Sequence, residues 1–175
     1  MLILDERPAS LELDGFTVGR VLPHARRRMV GPFIFLDHMG PAELITGTGM
    51  DVRPHPHIGL ATVTYLFEGE IVHRDSLGYT QPIRAGEINW MTAGRGIAHS
   101  EETPAAHSAV LQGVQLWVAL PDAARRMPPA FTRHANLPVV TDGGLRATVL
   151  IGSLAGVTSP AACHTPLVGA EITLA

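Results

Sequence analysis

An all-β fold, a barrel of antiparallel strands, is what this sequence predicts, on three observations. Glycine (18) and proline (14) are dispersed along the 175 residues instead of clustered, and helices tolerate neither in their interiors. Short apolar stretches with period-two alternation lie between these breakers, at the roughly 8–12-residue spacing of sandwiches and barrels. Only residues 122–127 offer a helical turn.

The elements follow in order. Leu11-Glu12-Leu13, then Asp14-Gly15, then residues 16–22 read as a hairpin over an Asp-Gly turn. Residues 33–37 form a short, largely buried strand. Residues 62–67 alternate, with Val63, Tyr65 and Phe67 on one face; Glu68-Gly69 turns the chain and residues 70–75 return. Ile83-Arg84, a turn at Ala85-Gly86 and residues 87–91 read as another hairpin. Residues 110–120 are the longest candidate strand, closed by Pro121. Met127-Pro128-Pro129 reads as a linker, after which residues 145–151 and 167–174 are two further strands. The expected organisation is a barrel over residues 1–135 and a truncated second-barrel segment over 136–175.

Composition narrows the function classes. With 46% hydrophobic and 17% charged residues, a sizeable core is available. A net charge of −3 argues against a general phosphate-binding surface, so no direct nucleic-acid binding is expected. All 13 basic residues are arginine, read as coding bias; Arg26-Arg27-Arg28 reads as a solvated loop, since no aromatic residues interleave with it. The single cysteine, Cys163, precludes an internal disulfide and reads as a half-buried apolar residue. The first eight residues lack a leader pattern and no run approaches the roughly 18 apolar residues of a membrane span. A soluble cytoplasmic protein is expected.

Chemistry is concentrated in two short patterns. His55-Pro56-His57 and, further on, His99-Ser100-Glu101 each set two metal-ligating side chains at i and i+2. Alternate residues of a strand share a face, so two such strands could bring three imidazoles and one carboxylate together. Neutral imidazoles with one carboxylate leave a divalent ion with net positive charge, and four protein donors leave octahedral positions open. This donor set suits a catalytic transition metal, Fe(II) first, better than a closed structural zinc; manganese, nickel, copper and zinc also accept it. The competing reading is hydrogen-bonded barrel residues, or surface residues of an edge strand. His73 and Asp75 form a third same-face pair, either orienting a ligand imidazole or lying on an exposed strand. Gln112 and Gln115 could line the barrel. His24, His38, His107, His134 and His164 stand alone, and Trp90 and Trp117 read as core.

The run His55-Pro56-His57-Ile58-Gly59-Leu60-Ala61-Thr62-Val63-Thr64-Tyr65-Leu66-Phe67-Glu68-Gly69 resembles the central motif of pirins, members of the cupin superfamily. Trp90-Met91-Thr92-Ala93-Gly94-Arg95-Gly96-Ile97-Ala98-His99-Ser100-Glu101 resembles them too, with support from residues 32–38, 73–78 and 115–118. The resemblance spans roughly residues 10–135. It implies a bicupin fold, a metal (usually iron) held by His55, His57, His99 and Glu101, and, as in several members, dioxygen-dependent cleavage of the flavonol quercetin. Other members are described as regulators without clear catalysis. Two departures stand out: Ala61 replaces a glutamate common in pirins, and pirins have two full barrels.

The expected function is therefore a metal-dependent dioxygenase acting with O2 on a flavonol-like enol, with Glu101 as the candidate general base. The alternative is a non-catalytic metal-binding regulator acting through a protein partner. A homodimer pairing the C-terminal segments is expected.

Overall fold

The computed structural model describes residues 9–13, 16–43 and 49–175. The Asp14-Gly15 turn and the first eight residues lie outside these. Sixteen strands and no helix occur among the described residues: β1 (Ala9–Leu13), β2 (Phe16–Leu22), β3 (Phe33–Glu43), β4 (Asp51–His57), β5 (Leu60–Glu68), β6 (Glu70–Asp75), β7 (Thr80–Arg84) and β8 (Ile88–Thr92). Then come β9 (Ile97–Glu102), β10 (Val110–Ala119), β11 (Ala130–His134), β12 (Val139–Asp142), β13 (Leu145–Ile151), β14 (Ser153–Leu154), β15 (Val157–Thr158) and β16 (Gly169–Leu174). No helix is long and apolar enough to cross a membrane.

A seven-stranded sheet, β1-β2-β3-β10-β5-β8-β11, faces a four-stranded sheet, β4-β9-β6-β7. All ladders within them are antiparallel. Two apolar clusters join the facing sheets. Val18, Met39, Leu66 and Leu111 meet Ile71 and Ile83 at one end, and Met91 and Phe131 meet Ile97 at the other. The third and largest cluster lies outside the barrel. Ala61, Val63, Tyr65, Ile88, Trp90 and Val118, on the outer face of the seven-stranded sheet, are covered by Leu150, Ile151 and Ala161. The covering segment carries its own three-stranded sheet, β12-β13-β16. On β16, Ile172 and Leu174 stay exposed.

Three sequence expectations need correction. Residues 62–67 and 70–75 do not pair: β5 lies in the large sheet and β6 in the small one. Gly69, with φ +91°, takes the chain round that corner, where a Cβ would lie 2.8 Å from the Val110 carbonyl oxygen. Likewise β7 and β8 belong to different sheets, so Ala85-Gly86 marks a crossing and not a hairpin. The true hairpin partner of β7 is β6. In both cases the turn residues specify a change of direction, and the choice of partner falls to burial. Finally, β3 runs 11 residues against the short strand expected, and exceeds β10 by one; pairing with β10 carries it through Gly40-Pro41. Residues 122–127 form hydrogen-bonded turns without becoming a helix. Beyond the Pro128-Pro129 linker, β11 still pairs with β8.

Candidate metal centre

β9 is the middle of the site. Its alternation is strict: Ile97, His99 and Glu101 are buried, while Ala98, Ser100 and Glu102 are half-buried. It lies between β4 and β6, so His55 stands directly across from His99, and His73 across from Glu101. β4 is an edge strand, which tolerates Pro54 in the register shift between Val52 and His55 and Pro56 opposite Ala98. The tight turn before β9 closes by Gly96 N–H donating to the Ala93 carbonyl at 2.8 Å. Gly94 is required there: φ is +51°, and a Cβ would collide with the Met127 carbonyl oxygen.

The predicted donors converge, as two overlapping groups sharing His99. His55, His57 and His99 place their ligand atoms within 4.8 Å of one another, and so do His73, His99 and Glu101. His57 Nε2 and His99 Nε2 are 3.1 Å apart, about the separation of adjacent donors around an ion with bonds near 2.1 Å. His55 Nδ1 lies 2.9 Å from the Arg53 carbonyl oxygen, an acceptor only, so it carries the proton and leaves Nε2 as the lone pair. His24, His38, His107, His134 and His164 join neither group.

Burial, then the neighbouring His55, lowers the His57 pKa to about 4. Burial, then His55, His73 and His57, lowers that of His99 to about 2. Both are neutral imidazoles at neutral pH, the protonation state a cation requires. Glu101 is 4% exposed and burial raises its pKa. It accepts from Gln115 Nε2 at 3.1 and 3.3 Å and from Thr64 Oγ1 at 3.4 Å. A buried carboxylate held only by an amide and a hydroxyl, beside lone-pair imidazoles, is a donor set that fits a divalent cation.

A cavity of about 270 Å³ opens onto this cluster. His55, Glu101, Gln115, Trp117, Phe35 and the Arg20–Asp37 pair are among its walls. It is just under the roughly 300 Å³ lower end of ligand pockets, so it suits a compact group. Trp117 stacks on Phe35 at 4.2 Å and meets His57 edge-on at 5.0 Å. Expected as plain core, it walls the site. Trp90 is core, its Nε1–H donating to Thr92 Oγ1. Gln115 holds Glu101, whereas Gln112 joins no part of the cluster. Arg20 donates twice to buried Asp37 at 2.7 Å; the sequence reading missed this pair, although a lone acid inside the apolar run Phe33-Ile34-Phe35-Leu36-Asp37 was an available signal. The exposed-strand reading of His73 and Asp75 is wrong, since both side chains are buried. Ala61 packs in the outer cluster, so the glutamate of other pirins is replaced away from these donors.

An antiparallel double sheet with imidazoles and a carboxylate turned to its interior defines a cupin barrel. The sequence pattern of the Pirin family matches residues 15–118. The chain belongs to the pirin family. It is 51% identical to a pirin-like protein of Caulobacter vibrioides, covering 95% of this chain and 59% of that protein. A crystal structure of quercetin 2,3-dioxygenase from Acinetobacter baumannii superposes with a TM-score of 0.94 at 46% identity, covering 97% of this chain and 56% of that one. An Escherichia coli pirin solved with nickel(II) shares the fold at TM-score 0.61 and 21% identity, over 82% and 69% of the two chains. The chain thus spans between half and two thirds of the length of the first two proteins.

Proposed function

We propose that this chain carries the metal centre of a pirin-type dioxygenase cleaving a flavonol-like enol with O2. His55, His57, His99 and Glu101 would hold one divalent ion, iron first. The observation that carries the reading is the junction of a donor cluster with an aromatic-walled cavity. The A. baumannii structure named as quercetin 2,3-dioxygenase supports it. Bound there, a divalent ion supplies Lewis acidity toward an enol hydroxyl and open positions for small ligands.

The residues of the chain do the rest. Phe35 and Trp117, stacked on each other at 4.2 Å, present one aromatic wall to a planar group and keep water out. Glu101, its pKa raised by burial and both its oxygens within reach of Gln115 Nε2, is the base for the enol proton only where it is not serving as a tight ligand. Oxygen uptake with quercetin by metal-quantified protein tests this reading. Turnover that disappears in His57→Ala with the fold intact supports it. Full occupancy without turnover on a flavonol panel defeats it in favour of a metal-binding regulator.

A further inference from the structure

Behind His99, on the side away from His57, stands a buried chain that the ligand set does not use. His99 Nδ1 lies 3.3 Å from His73 Nδ1. His73 Nε2 lies 3.0 Å from Asp75 Oδ2. The Asp75 side chain is fully buried and that of His73 nearly so. Both are fixed by other contacts: the His73 ring stacks on Phe131 at 4.4 Å and 19°, and Asp75 Oδ1 accepts the backbone N–H groups of Leu77 and Tyr79 at 2.8 and 3.2 Å.

We propose that Asp75 and His73 are positioning residues that set the tautomer of His99, so that its Nε2 lone pair faces His57 and the cluster. The protons follow from the acceptors. An ionised carboxylate only accepts, so His73 carries its proton on Nε2 and offers a lone pair at Nδ1. His99 must then donate from Nδ1, which leaves Nε2 unprotonated. The inference rests on the reading of His99 as a ligand, but the tautomer itself does not require an ion. A second ion between His73, His99 and Glu101 is the competing arrangement. It is disfavoured because His99, whose Nε2 already faces His57, would have to ligate the second ion through Nδ1, and ligation through both ring nitrogens requires an imidazolate.

Asp75→Asn is the decisive variant. Its Oδ1 stays bound to the Leu77 and Tyr79 amides, so its NH2 must face His73 Nε2. That forces the His73 proton onto Nδ1, and the His99 proton onto Nε2. Long-range 1H–15N correlation on histidine-labelled, metal-free chain reads these protons directly, and nickel(II) titration reads the consequence. Expected are Nδ1–H at His99 in the parent, Nε2–H in Asp75→Asn, and nickel affinity weakened about 10–100-fold. His73→Phe, which keeps the stack on Phe131, serves if Asp75→Asn does not fold; it removes the acceptor, and the His99 preference for Nδ1–H and the affinity should both fall. An unchanged His99 tautomer overturns the inference. So does a changed tautomer with unaltered nickel affinity where His57→Ala abolishes binding, or a second nickel ion that His73→Phe removes. If His57→Ala leaves nickel binding untouched, the metal-centre reading fails separately, and the tautomer alone decides the relay.

Discussion

The two faces of one sheet do opposite work here. The outer face of the seven-stranded sheet carries the largest apolar cluster, with Ala61, Val63, Tyr65, Ile88, Trp90 and Val118 packed beneath Leu150 and Ile151. The inner face, one residue out of phase along the same strands, carries Thr64, Gln115, Asp37 and Asn89, all turned toward the donor cluster. A barrel interior given to polar groups contributes less burial, about 1.5–3 kcal/mol forgone for each large apolar side chain it lacks. The outer cluster supplies that burial elsewhere, and it does so only because the C-terminal segment covers it. The largest apolar cluster and the donor cluster therefore lie on opposite sides of the seven-stranded sheet, the donors themselves on the facing four-stranded sheet.

This division predicts that outer-face variants lose stability and keep metal, while variants of the donors on the facing sheet do the reverse. The largest effect is expected from Ile151→Ala, fully buried under the sheet. It should cost about 4 kcal/mol in urea unfolding, within the usual range for such truncations, while the folded fraction binds nickel(II) with parental stoichiometry. A loss of binding would show that the faces are coupled.

Next comes pH. His57 and His99 have folded pKa values of about 4 and about 2, below the unfolded value near 6.5. The unfolded chain therefore binds more protons in acid. Stability of metal-free protein should be intact above pH 6.5 and fall as pH drops toward 4. His57 alone should contribute on the order of 3 kcal/mol to this loss. His57→Gln should make the fall in melting temperature over that window shallower, His99 keeping the remainder; an equally steep profile in the variant would place the sensitivity away from His57.

His99→Ala should weaken nickel binding at least about a hundredfold by calorimetry, near 2.8 kcal/mol, with little change in melting temperature. A large stability loss would break the division from the inner side. The smallest effect belongs to Tyr65→Phe. Tyr65 Oη donates to Glu171 Oε2 at 2.8 Å, tying β5 to β16, and burial followed by Glu171 raises the phenol pKa. Its loss should cost about 1 kcal/mol and speed amide exchange along β16 more than along β9.

Much of the site was legible because strand alternation is local. His55-x-His57 and His99-x-Glu101 needed only period two to place each pair on one face; the structure groups His55 and His57 with His99, and Glu101 with His99 and His73. His73-x-Asp75 has the same spacing, yet its role depended on whether β6 was covered, and Phe131, far along the chain, covers it. Trp117 was ambiguous for a similar reason: an aromatic residue in a strand faces core or cavity according to which sheet stands opposite.

By itself the sequence determined the all-β class, the places of most longer strands though not of β11, β12, β14 or β15, and which side chains share a face, since these follow from neighbouring residues and backbone geometry. Tertiary structure alone decided that β5 and β6, and β7 and β8, cross between sheets, that two donor groups share His99, and that the main apolar cluster lies outside the barrel. The physical reason is range. A turn sets direction within a few residues, whereas pairing and burial are settled by whichever distant surfaces remove the most apolar area from water.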